Sequence, residues 1–159
     1  MVKKATIDDF YFFKNLYFHL EINPFLLYEM EEEVNFEEIY KDLLKNGVLY
    51  IFEQDGEKIG MFKLVPLHYR TSHIAYLGGV VIHPDHKGKG LGYEMMLGII
   101  ALGSEKGFSR IELSTATINK TAIGLYEKVG FQQEGILRKY TFLKSENRYL
   151  DEVLMSYLY

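Results

Sequence analysis

The chain has 159 residues, 48% of them hydrophobic, enough to bury one full core and too few for a second domain of ordinary size. A formal charge of −4 gives no general attraction to nucleic acid or an anionic membrane, and no run approaches the ~20 consecutive apolar residues that span a bilayer. The absence of cysteine excludes disulfides, thiolate zinc sites and a sulfur-borne acyl-enzyme, and fits a soluble protein of the reducing cytoplasm.

Residues 2–6 read as a short strand, after which Thr6 can cap a helix with Asp8 and Asp9 in its first turn. Phe10, Phe13, Tyr17 and Leu20 recur at three- and four-residue spacing and predict one core-facing helix stripe, ended by Asn23-Pro24. Glu29, Glu31, Glu32 and Glu33 form an acidic cluster whose plain reading is solvated surface. Its sharper reading is a collar, through Glu29 and Glu31, that attracts a cationic amine. Asn35 followed by Glu38 has the form of a capping box for a second helix that Gly47 stops. Residues 48–52 and 58–65 are β-rich, and Asp55-Gly56 between them predicts an antiparallel hairpin. A strand over 72–82 follows, in which Gly78-Gly79 predicts a bulge. Helices are predicted over 91–106 and 120–128, with strands over 110–114, 137–142 and 149–157. A hairpin followed by strand-helix-strand order indicates a mixed α/β sheet.

The junction between strand 72–82 and helix 91–106 carries Lys87, Gly88, Lys89, Gly90, Leu91 and Gly92. The glycines remove side chains and permit positive φ. Backbone N–H groups can then converge on a phosphate at a helix N-terminus carrying roughly half a positive charge, with Lys87 and Lys89 beside it. A Walker loop would need Ser or Thr where Gly90 follows Lys89, and a dinucleotide fingerprint starting at Gly88 would need glycine where Tyr93 stands. His83-Pro84-Asp85-His86 offers metal-ligating types, but no third and fourth ligand adjoin them, so no metal is expected.

Lys87-x-x-Gly90-x-Gly92 resembles the pyrophosphate loop of the GNAT superfamily of N-acetyltransferases, with lysine replacing the usual glutamine or arginine. A second motif of that family follows in Asn119-x-x-Ala122-x-x-x-Tyr126-x-x-x-Gly130-Phe131. The tail, Glu134-Gly135 with Tyr149-x-Asp151-Glu152-x-x-Met155, resembles the branch holding ribosomal-protein, polyamine and phosphinothricin-type acetyltransferases. The likeness spans essentially the whole chain. It implies one N-acetyltransferase domain over 1–159 with an α/β (α+β) fold, a mixed sheet of about seven strands splayed between the fourth and fifth and flanked by about four helices.

The implied activity is direct transfer of an acetyl group from acetyl-CoA to a primary amine of a small molecule or protein, with a homodimer as a compatible assembly. The competing reading is a non-catalytic acyl-CoA-binding module of the same fold. By the same resemblance, Val80, Val81 and Ile82 would pair with the pantetheine arm and residues 87–92 would hold the pyrophosphate. Asn119 would bond the pantetheine side, and the Val81 N–H would meet the oxyanion. Tyr126 would protonate the departing thiolate, its alternative being an ordinary core tyrosine. Many relatives carry a glutamate on the strand corresponding to 73–82, and this chain has none. Glu112 and His73 are the candidate bases, each also open to a purely structural reading. Lys120 and Lys128 could meet the ribose phosphate or simply be exposed helix charges.

Overall fold

The hairpin forms where Asp55-Gly56 predicts it: both turn residues take positive φ, 52° and 80°, which matches the twist of the flanking strands β2 (Leu49–Gln54) and β3 (Glu57–Pro66). Along β2, Tyr50 and Phe52 enter one hydrophobic core while Leu49 and Ile51 enter another, so the sheet is buried on both faces. The computed structural model, which describes residues 1–159, completes the sheet with β1 (Val2–Lys4), β4 (Ile74–Ile82), β5 (Arg110–Ala116), β6 (Gln132–Leu143) and β7 (Arg148–Leu158), in the order β1-β2-β3-β4-β5-β7-β6. Helices α1 (Phe10–Tyr17) and α2 (Phe36–Lys45) cover one face, and α3 (Leu91–Glu105) and α4 (Lys120–Lys128) cover the other.

Helix α1 is shorter than its periodicity predicts. Phe13, Leu16 and Tyr17 are buried, but Leu20 is 79% exposed because the helix ends before it. The buried Asn23 causes the stop: its amide donates to the carbonyls of Tyr17 and Tyr28, both at 2.8 Å, which satisfies a terminal helix carbonyl and folds residues 18–28 back over the sheet. Asp9 fixes the other end. Burial alone would raise its carboxyl, but the 2.6 Å ion pair with Lys58 and the bonds from Thr6 more than offset that and hold it below the ordinary range. The predicted capping box at Asn35 does not form. A reciprocal contact arises six residues earlier, where the Glu29 N–H donates to Glu32 at 3.0 Å and opens a 3-10 segment over Met30–Asn35.

The sheet is forked. Strands β4 and β5 pair in parallel only at Ile74 with Arg110, Ala75 with Ile111 and Tyr76 with Glu112. Beyond Tyr76 the edge of β4 has no strand beside it, while β5 stays paired to β7 as far as Ala116. The predicted bulge bends β4 at this height. Met61 faces Val81 but Lys63 faces Gly78, so β4 carries an extra residue there, with Gly79 at φ +60°. A side chain at Gly79 would also lie 2.8 Å from the Tyr17 hydroxyl. On the far side of the fork, Arg110 grips Glu134 with two bonds of 2.7 and 2.6 Å and pins β5 to the β6–β7 pair.

Candidate active site

The fork opens into a cleft of about 480 Å³. Its walls include Val80, Val81 and Ile82 of β4, Leu113 to Thr115 of β5, and Asn119, Leu125 and Tyr126 of the α4 segment, with Lys87 at one end. At that end Gly88 and Gly90 take φ of +76° and +78°, and neither has a neighbour within 4 Å of where a side chain would stand. Conformation, not crowding, requires glycine at these two positions. Gly92 differs from its expectation: it lies inside the first turn of α3 without positive φ, and its bareness admits Leu125 of α4, 3.3 Å from where its Cβ would be. The backbone N–H groups of Gly88, Lys89, Gly90, Leu91 and Gly92 have no acceptor within the protein; pairing resumes at Tyr93, which donates to Gly90 at 3.0 Å. Unengaged donors at the start of a 15-residue helix suit a diphosphate. Lys89 is held to the Asp85 carbonyl at 2.9 Å, which leaves Lys87 as the mobile cation at the cleft. Lys128 stands 5.0 Å from the ring centre of Tyr93, and Lys120 is exposed on the first turn of α4.

Asn119 lines the cleft and also caps α4, accepting from the Ala122 N–H and donating to the Thr115 hydroxyl, both at 3.4 Å. Tyr126 is 6% exposed, and its hydroxyl makes no hydrogen bond within the protein. Burial, reinforced by the neighbouring Tyr76, pushes its pKa well above the ordinary phenol value.

A second cavity, of about 570 Å³, adjoins the first on the α1–α2 face; the two share Gly78, Gly79 and Ser114, with Phe25 and Leu26 over both. It is lined by Lys63, Tyr76, Tyr140, Thr141 and Glu152 among others. The Tyr76 hydroxyl lies 3.3 Å from the Ser114 hydroxyl, and the Glu152 carboxylate accepts from Thr141 at 2.6 Å. Burial raises the Tyr76 phenol, its bond to Ser114 opposes that, and the nearby Glu152 and Tyr140 add to the rise. Burial likewise lowers the Lys63 ammonium.

Four of the predicted site residues fall elsewhere. Glu112 sits at the last paired rung of the fork, beside Tyr76, and lies 3.0 Å from Arg110, outside the walls of both cavities. His73 is exposed before β4, at the end away from the opening. Glu29 and Glu31 reach the β6–β7 turn instead: Glu29 accepts from the Lys144 N–H at 3.3 Å and Glu31 lies 3.6 Å from the Lys144 ammonium. None of these four residues lines either cavity. Lys63 and Glu152 were missed, yet each leaves a mark in the sequence. Lys63 falls on the inward face of β3, in step with buried Met61, and Glu152 interrupts the apolar alternation of Leu150 and Leu154 on β7.

A family model described as the acetyltransferase (GNAT) family matches residues 10–131. An uncharacterized N-acetyltransferase of Escherichia coli, YjgM, is 34% identical over 99 residues, 62% of this chain and 59% of its own length. The spermidine N(1)-acetyltransferase of the same species is 29% identical over 104 residues, 62% of this chain and 53% of its own. The chain thus spans little more than half the length of these curated relatives. Among solved structures, the spermidine N-acetyltransferase of Vibrio cholerae in complex with CoA and spermine superposes with a TM-score of 0.86 at 24% identity, covering 99% of this chain and 94% of that one. The ribosomal-protein-alanine N-acetyltransferase of Brucella melitensis gives 0.82 at 18% identity, with 100% and 99% covered. At these identities the superpositions establish a shared fold.

Proposed function

The chain belongs to the GNAT acetyltransferase family, and from that premise we propose that it is an acetyl-CoA-dependent N-acetyltransferase that moves an acetyl group directly to a primary amine. The observation that carries this reading is the fork. An unpartnered strand edge from Leu77 to Ile82 ends at a loop whose N–H groups from Gly88 to Gly92 have no acceptor in the protein. The first suits the amides of a pantetheine arm, laid along β4 as an added strand, and the second suits a diphosphate. Asn119 would bond the arm from the α4 side. We place the acceptor in the second cavity, so the two substrates would meet at Gly78, Gly79 and Ser114.

Bound acetyl-CoA supplies the thioester carbon: the carbon–nitrogen bond forms there as the carbon–sulfur bond breaks and its electron pair leaves on sulfur. Glu152, within the acceptor cavity, takes the proton that the ammonium must lose, since a lysine-like amine has a pKa of ~10.4 and arrives charged. Tyr126 gives its phenolic proton to the departing sulfur, and the second proton, shed by nitrogen as the amide forms, restores the phenol. Burial holds the phenol protonated throughout the neutral range, so it still carries its proton when the thiolate departs. Residues 1–159 would form one such domain. The absence of cysteine supports residence in a reducing cytoplasm, and no helix is long and apolar enough to cross a membrane.

Calorimetric titration with acetyl-CoA, followed by free-thiol release over a set of primary amines, tests the reading. Saturable heat and amine-dependent thiol release are expected. Binding without transfer to any amine would identify an acyl-CoA-binding module, and no binding would remove the assignment altogether.

A further inference from the structure

The acceptor cavity contains a cation that no group in the protein neutralises, and we infer that Lys63 selects acceptors that carry a carboxylate close to the amine to be acetylated. This rests on the transferase reading above. Lys63 lies on β3 between Phe62 and Leu64, opposite Gly78, and is only 9% exposed. No carboxylate comes within 4.0 Å of its ammonium, which donates no hydrogen bond; its nearest recognisable partner is the ring of Tyr28, 5.4 Å away. Lys58, on the same strand, shows the usual arrangement, paired with Asp9 at 2.6 Å. An ammonium on so buried a side chain, with no anion beside it, loses part of its hydration, and the aromatic face of Tyr28 compensates only in part.

The rest of the cavity indicates what completes it. Glu152 lines the same space, is engaged by Thr141, and is not paired with Lys63. One positive and one negative group are thus held apart in a single cavity, a pattern complementary to a molecule bearing an amine and a carboxylate. The amine faces Glu152 and the carboxylate faces Lys63, with Phe25, Leu26, Leu27 and Phe142 against the apolar body. Side chains at Gly78 and Gly79 would stand 3.6 and 3.9 Å from the Lys63 Cε, so the bare backbone keeps the path to the ammonium open. A second ammonium on the acceptor would instead meet a like charge, which discriminates against diamines and polyamines. Burial also lowers the Lys63 pKa, and a bound carboxylate would oppose that shift.

The test compares the common L-amino acids with their α-amides and their decarboxylated amines, scored as kcat/KM by thiol release with acetyl-CoA. At least one acid should exceed both its amide and its amine by about tenfold or more, the scale of one charge-assisted hydrogen bond. Lys63→Met should bring that ratio close to one, and Lys63→Arg should keep it above one. Should Lys63→Met fail to bind acetyl-CoA, Lys63→Gln carries the same comparison. Amides and amines turned over as well as every acid, a preference that survives loss of the ammonium, or an equal fall for acids and amines in Lys63→Met would each overturn the inference and leave the transferase reading standing. Binding of acetyl-CoA with transfer to none of these acceptors would overturn the inference, and the same result with peptide amines would overturn the transferase reading as well.

Discussion

The two cavities that meet at Gly78, Gly79 and Ser114 are built from different material. The cofactor side is mostly backbone: a strand edge left open by the fork, and helix-start amides freed by Gly88 and Gly90. Its parts come from the junction of β4 and α3 and from the β5–α4 segment, close together along the chain. The acceptor side is mostly side chains, with Phe25, Lys63, Tyr76, Ser114, Tyr140 and Glu152 contributed by separate elements. A surface made of backbone recognises what all acyl-CoA molecules share. One made of side chains recognises what distinguishes one acceptor from another.

Substitutions that strike one side and spare the other sharpen this contrast. The largest effect is expected for Glu152→Gln, with kcat lowered by about 10²–10⁴-fold if the carboxylate removes the amine proton, and calorimetric acetyl-CoA affinity unchanged. The deficit should shrink as pH rises toward the acceptor's own pKa, where the amine no longer needs a base; wild-type kcat would remove Glu152 from the chemistry. Next comes Tyr126→Phe, for which turnover should drop by roughly 10²-fold, again with cofactor affinity kept. Equal activity across pH would return Tyr126 to a packing role. Gly90→Ala forces a side chain into the left-handed region at about 1–2 kcal/mol, and acetyl-CoA affinity should weaken about tenfold with acceptor KM held. An acceptor KM that moved in parallel would break the separation of the two sides.

Two smaller effects concern the frame that both cavities share. The Tyr17 hydroxyl is buried without a hydrogen-bond partner beneath the Gly79 bulge. Tyr17→Phe should therefore hold or raise the melting temperature, gaining up to about 1–3 kcal/mol from the removed polar group. A marked loss would reveal a hidden partner. The smallest effect belongs to the clamp between β5 and β6. Bonds from Arg110 and Ser156 hold the Glu134 carboxyl down to about 2 from 4.5. Because the folded value lies below the unfolded one, this stabilisation is complete above about pH 4.5 and vanishes as pH falls through about 2. Glu134→Gln should lower thermal stability above about pH 4.5 and flatten the acid limb, with the difference from wild type vanishing as pH falls through about 2.

What could be read from the sequence follows the same division. The hairpin at Asp55-Gly56, the bulge at Gly78-Gly79, the glycine loop and helix α4 each depend on residues adjacent in the chain, and the structure has them where they were expected. Leu20 misled because periodicity cannot register that Asn23, six residues past Tyr17, closes the helix early. Glu112 misled because a strand position does not reveal its height relative to the fork: it belongs to the last closed rung, where Arg110 claims it. The acidic cluster at Glu29 and Glu31 answers a lysine in a turn more than a hundred residues away. No local pattern could place Lys63, Ser114 and Glu152 around one cavity, since their meeting depends on which face of the sheet each strand turns toward α1.

The bulge at Gly79 has a consequence for how such a protein can change over generations. Side chains on β3, β4 and β7 that face α1 can be exchanged without disturbing the bare ribbon on the opposite side of the fork. A lineage can therefore move to a new nitrogen-bearing partner while its grip on the acyl donor is inherited intact.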